Sequence, residues 1–149
     1  MEGFYVFGGR SQKGDVLGRL KLLRYDRGGM SWTYPKTTGV VPAARYGHSM
    51  IYNPEGGNLI IYGGRNDKLF QAQKSCCLND LNVLNLTNLS WCAVSTFGDH
   101  YTESRYAHAA CLYQNQMVIF GGLHDYSFVD SEIRRLELGK LSVDISRRN

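Results

Sequence analysis

Apolar and polar positions alternate along this chain in short runs, and three of those runs end in a pair of glycines. Phe4-Tyr5-Val6-Phe7 precedes Gly8-Gly9, Leu59-Ile60-Ile61-Tyr62 precedes Gly63-Gly64, and Met117-Val118-Ile119-Phe120 precedes Gly121-Gly122. Four apolar residues rich in β-branched and aromatic types predict a buried strand. Glycine ends such a strand because it takes positive φ without steric cost. Gly8, Gly63 and Gly121 lie 55 and 58 residues apart (63 − 8 and 121 − 63), the period of a propeller or an array.

Around each doublet the same plan recurs. Arg45-Tyr46-Gly47-His48 and Arg105-Tyr106-Ala107-His108 each open a run that leads into a doublet strand, 60 residues apart (105 − 45). Arg19 to Tyr25 and Leu81 to Leu86 follow the doublets as leucine-bearing strands, and Leu136 to Val143 aligns with Leu84 to Trp91, leucine meeting leucine at three positions and Val143 standing where Trp91 is. Met30 to Tyr34 puts Met30, Trp32 and Tyr34 on one face of a half-buried outer strand, and Ser90 to Val94 carries Trp91 in the same place. Residues 37–44 and 96–104 read as linkers, and 65–75 as a long polar loop. Only Phe70 to Leu78 rivals a helix, and its cysteines and the flanking Asn79-Asp80 favour a loop.

The glycine doublets, the tryptophans and the Arg-Tyr-x-His segments together resemble the kelch repeat over nearly the whole chain. The resemblance implies an all-β fold: a kelch-type β-propeller fragment of three consecutive four-stranded antiparallel blades. Blade one covers 1–36 and lacks its inner strand, blade two covers 45–95, and blade three covers 105–146. Propellers close with about four blades or more, so two apolar faces and free strand edges are expected here. The chain therefore reads as part of a longer polypeptide or of an assembly, with further blades or another subunit closing the ring; pairing of two copies is the alternative.

Composition narrows the classes. The chain has 149 residues, 43% hydrophobic and 20% charged, which is globular rather than disordered. No apolar run is long enough to span a membrane, and no signal peptide is visible. The net charge of +4 is spread along the chain, without the basic stripe that nucleic acid requires. Cys76, Cys77, Cys92 and Cys111 lack Cys-x-x-Cys spacing and read as reduced thiols of a cytoplasmic protein, with Cys76-Cys77 beside Lys74 as the one candidate reactive pair. Asn85-Leu86-Thr87 and Asn88-Leu89-Ser90 read as chance glycosylation matches.

Strand direction brings the doublet ends and the inner-strand starts to one rim. The resemblance implies binding of a protein or peptide partner there through Arg45, Arg65, Arg105 and Tyr126, and the loops of the same rim add Arg10, Asn66, Asp67 and His124, with Asp99, His100 and Tyr101 nearby. Arginine suits this because its planar fork grips a carboxylate with two hydrogen bonds. Gly8, Gly9, Gly63, Gly64, Gly121 and Gly122, with Trp32, Trp91, His48 and His108, are assigned structural roles, the histidines bonding the neighbouring blade's backbone. The glycine doublets are no phosphate loop, since no Gly-Lys-Ser/Thr follows. No catalytic residue, metal or cofactor is expected. The alternatives are a structural, cytoskeletal or ubiquitin-ligase scaffold subunit and, on the four histidines, a kelch-like metal enzyme.

Overall fold

A computed structural model describes residues 3–94, 103–125, 127–128 and 133–138. Three antiparallel sheets follow one another along the chain. The first is β1 (Phe4–Phe7), β2 (Leu20–Asp26) and β3 (Gly29–Thr33), in that spatial order. The second contains β5 (Ser49–Asn53), β6 (Asn58–Tyr62), β7 (Leu81–Asn85) and β8 (Ser90–Val94). β4 (Thr38–Gly39) lies parallel to β8 at its outer edge. The third is β9 (Ala109–Tyr113), β10 (Gln116–Phe120) and β13 (Arg134–Glu137), with a separate hairpin of β11 (Leu123–His124) and β12 (Ser127–Phe128). The fourth strand expected beyond β13 lies outside the described residues.

Registers confirm that these sheets are copies. Leu84 stands opposite Leu59 in the second sheet, Leu136 opposite Met117 in the third, and Leu23 opposite Phe4 in the first. Trp32 pairs with Leu23 as Trp91 pairs with Leu84. The innermost strands β5 and β9 pack side by side, so the sheets stack face to face.

Two apolar interfaces follow from strand alternation. Every residue of β6 is buried, because the strand is covered on both faces. Leu59 and Ile61 point toward the first sheet and join Phe7, Leu20, Leu84 and Trp91. Ile60 and Tyr62 point the other way and join Met117, Ile119, Leu136 and Leu138. The outer faces lack such cover: Phe4 is 74% exposed on the first sheet, and Phe120 is 52% exposed on the third.

Several expectations need correction. Trp91 is buried against Phe7, with ring centroids 5.3 Å apart. Trp32, its counterpart, is 51% exposed and wedges nothing, with Met30 and Tyr34 exposed beside it. Its partner would belong to a preceding sheet, and among the described residues none lies there. The linker 37–44 is not featureless, since β4 within it caps the edge of β8, as Thr38 N–H donates to Leu89 O. The loop after Gly64 contains a helical turn, Asp67–Leu69 and then α1 (Phe70–Gln73). The Asn66 side chain accepts Lys68 N–H at its start, and Lys74 ends it in the left-handed conformation at φ 59°.

The equivalent histidines bridge neighbouring sheets through side chains, not backbone. His108 lies edge-on to Tyr62 at 5.2 Å, and its Nε2 lies 2.9 Å from Ser49 Oγ. His48 meets Phe7 in the same geometry at 5.9 Å. Burial, aided by the charge of Arg45, pushes His48 from 6.5 to about 4. Burial, aided by Arg105 and then His48, does the same to His108.

Two outcomes follow. Trp91→Ala lowers the unfolding free energy by about 3–5 kcal/mol, whereas Trp32→Ala costs less than about 1 kcal/mol; urea unfolding of each variant measures this, and equal losses would contradict the packing. Both histidines bind a proton more weakly folded than unfolded. Their contribution to stability is therefore present above pH 6.5 and declines as pH falls toward 4. Urea midpoints recorded between pH 7 and 4 give that slope, and His108→Asn reduces it by about one proton.

Candidate functional site

The three doublets share one edge and one geometry. Gly8, Gly63 and Gly121 have φ of 66°, 65° and 64°, and Gly9, Gly64 and Gly122 have 104°, 105° and 107°. Each of the first two doublets is tied to the next sheet through backbone alone. Gly64 N–H donates to Arg105 O (2.8 Å), Arg105 N–H to Leu78 O (3.1 Å) and Leu78 N–H to Gly64 O (2.9 Å). Gly9, Arg45 and Leu17 repeat this triangle one sheet earlier. A methyl group on Gly63 would sit 2.6 Å from Arg105 O, so only glycine permits the approach.

Arg45 and Arg105 do not face the rim. Both are fully buried. Arg45 forms a bidentate pair with Asp80, both distances 2.7 Å, and donates to Gly63 O and Ala43 O, each at 2.9 Å. Burial pushes the Asp80 carboxyl up, but the Arg45 hydrogen bonds and charge outweigh it and hold the group below the usual carboxylate range. Arg105 donates to Gly121 O at 3.0 Å and lies 3.8 Å from Glu103. A guanidinium is the right size to reach the carbonyl that a doublet strand presents at its end, and this draws both side chains inward.

The arginine after each doublet has a second shared duty. Arg10 lies over the Tyr46 ring at 5.6 Å, and Arg65 over the Tyr106 ring at 5.0 Å. Each pair links one sheet to the Arg-Tyr-x-His segment of the next. Arg65 is 8% exposed and donates to Asp67 at 2.6 Å; Asn66 is 6% exposed and donates to Ala44 O. Hydrogen bonding from Arg65, with a further bond from Tyr46 Oη, keeps the Asp67 carboxyl below its ordinary range despite partial burial.

Of the rim residues expected to bind a partner, the structure leaves Arg10, Asp67 and His124 exposed. It buries Arg45, Arg65, Asn66 and Arg105 as braces. Tyr126, with Asp99, His100 and Tyr101, lies outside the described residues. Asp80, Tyr46 and Tyr106 join the site without having been expected there. The tyrosines carried a signal: each sits one residue after the repeated arginine.

Cys76 and Cys77 are buried rather than loop-exposed, and burial raises both thiols, Cys77 to about 11. That removes the reactive-thiol alternative, which relied on Lys74 lowering a pKa. Asp125 from the hairpin of the third sheet reaches back to Cys76 N–H at 3.1 Å and to the Cys77 thiol at 3.3 Å. The rim is thus stitched across the second and third sheets as well.

Residues 2–144 match the family model of the KLHDC2/KLHL20/DRC7 Kelch-repeats domain. The chain is 34% identical over 118 residues to Dynein regulatory complex subunit 7 of Chlamydomonas reinhardtii, covering 78% of this chain and 9% of that protein. It is 31% identical over 122 residues to Kelch domain-containing protein 3 of Rattus norvegicus, covering 81% of this chain and 29% of that protein. It is 30% identical over 129 residues to Host cell factor of Drosophila melanogaster, covering 81% of this chain and 8% of that protein. The chain therefore spans less than a third of each of these relatives. Repeated sheets joined through glycine doublets, and a match over nearly the whole length, agree: the chain belongs to the kelch-repeat family.

Proposed function

We propose that the chain is a non-catalytic protein-interaction module whose doublet rim recognises a protein or peptide partner. The observation that carries this is the division of labour on that rim. Backbone triangles and buried arginines hold the loops, so exposed side chains such as Arg10, Asp67, Lys68 and His124 are presented on a rigid edge. Loops held by a rigid scaffold are where recognition concentrates. The four free thiols suit a reducing compartment such as the cytoplasm, and among the described residues no helix is long and apolar enough to cross a membrane.

In this reading the sheets are three successive blades, covering 1–36, 45–95 and 105–146, of a larger ring. The exposed faces at Phe4, Val6 and Trp32 and at Phe120 then receive further blades of the same polypeptide or of another subunit. A scaffold subunit of a large assembly is the second form of the same reading, favoured by the relative named as a dynein regulatory complex subunit.

Charge reversal separates the rim from the opposite edge. Arg10→Glu combined with Lys68→Glu weakens partner binding by about tenfold or more, while Arg27→Glu, on the opposite turn, leaves it unchanged. Titration of the isolated partner by calorimetry reads the affinities, and equal binding by all variants would reject the rim. Light scattering tests the open faces: the 149-residue chain alone self-associates, and a stable monodisperse monomer would contradict the incomplete ring.

A further inference from the structure

The junction of the second and third sheets brings together three side chains outside the glycine-arginine clamp. Cys77 comes from the loop after the second doublet, and His124 and Asp125 from the hairpin after the third. Their Sγ, ring nitrogen and carboxylate oxygen all lie within 4.8 Å of one another. We propose that Cys77, His124 and Asp125 form a binding site for a divalent cation of the zinc class, which ties the two loops together.

Spacing is the first argument. Zinc bonds of about 2.0–2.3 Å place tetrahedral ligand atoms about 3.3–3.7 Å apart. Cys77 Sγ lies 3.3 Å from Asp125 Oδ1, and His124 Nε2 lies 3.8 Å from Asp125 Oδ2. The sulfur and the imidazole thus flank the two oxygens of one carboxylate, inside the 4.8 Å spread of the set.

Orientation of the imidazole is the second. His124 Nδ1 lies 3.0 Å from Ser104 O and 2.8 Å from Ser104 Oγ. A carbonyl only accepts, so the ring proton sits on Nδ1 and the hydroxyl turns to share it. Nε2 is left facing the Asp125 carboxylate, 3.8 Å from Oδ2, where it can serve as a ligand. A backbone carbonyl holding one imidazole nitrogen is also the arrangement that readies the other as a ligand.

The sulfur completes the set. Asp125 N–H donates to Cys77 Sγ at 3.2 Å, a contact that supports a thiolate once it forms. On binding, the ion displaces the thiol proton to solvent and the sulfur takes up the metal bond. Asp125 keeps its bond from Cys76 N–H, so the carboxylate stays aimed. One sulfur, one nitrogen and one oxygen suit zinc better than the oxygen-loving magnesium or calcium. His124 and Asp125 remain partly open to solvent, which leaves a fourth position for water or for a ligand from a partner.

Cobalt(II) reads this site directly. The intact protein, stripped with a chelator and titrated with cobalt(II), develops a thiolate-to-cobalt charge-transfer band and the visible bands of a tetrahedral ion at one equivalent, and zinc abolishes them. Cys77→Ser removes the charge-transfer band and Cys76→Ser retains it. If Cys77→Ser fails to fold by circular dichroism, His124→Gln decides, because that ring is half exposed and its loss leaves the core intact; it weakens cobalt affinity at least tenfold. No band at one equivalent, a band that survives Cys77→Ser, or unchanged affinity in His124→Gln overturns the proposal. None of these readouts depends on protein-partner binding, so the site and the rim's recognition role fail separately.

Discussion

The hydrogen bond from Gly64 N–H to Arg105 O is the constraint on which this architecture turns. It joins one sheet to the next through main chain only. Its length of 2.8 Å demands that the two backbones meet with no Cβ between them, and the turn demands positive φ at both glycines. A Cβ at Gly63 would sit 2.6 Å from Arg105 O besides being forced to positive φ, and at Gly64 the positive φ is joined by a 2.9 Å approach to His48. The same triangle at Gly9, Arg45 and Leu17 fixes the previous junction, so the stacking of sheets is set before any loop side chain is chosen.

Hydrophobic burial then sharpens what the clamp positions. A strand in an ordinary two-layer fold has one wet face, yet β6 has none. Leu59 and Ile61 serve one interface while Ile60 and Tyr62 serve the next. The design needs a neighbour on each side of every sheet, and the end sheets show what happens otherwise. Phe4 and Phe120 occupy the strand positions that are dry in β6 and are exposed here. Two tryptophans at one repeat position, one buried and one half in water, have one cause: among the described residues a sheet packs against Trp91 and none packs against Trp32.

Much of this was legible in the sequence, and the exceptions have physical reasons. The strand order and the shared edge of the doublets follow from apolar period and spacing, because buried strands and positive φ leave strong marks. The roles of Arg45 and Arg105 left a misleading one. Arginine at the start of an inner strand reads as solvent-facing, since burying a charge is costly without a partner. The partner of Arg45 is Asp80, 35 residues away in a different loop, and sequence spacing gives no hint of that bidentate pair. β4 was missed because Thr38 and Gly39 form too short a run to show alternation, and it exists only where Trp91 offers an edge. The turn at 67–73 depends on the Asn66 cap and on Lys74 in a left-handed conformation, both local choices that composition hides.

These corrections redistribute the chemistry of the rim. A charged side chain can brace a junction or meet a ligand, and the one occupied with bracing is lost to recognition. Arg45 is spent on Asp80 and Gly63 O, Asn66 on Ala44 O, and Arg65 on Asp67 and the Tyr106 ring. What stays accessible is a thinner set at the loop crests, the residues that the junctions do not bury. Arg10 stacks on Tyr46 yet remains exposed, so it alone among the rim arginines both links two sheets and presents its charge to water. Affinity at such a surface comes from a few side chains on a stiff support, where little conformational freedom remains to be lost on binding.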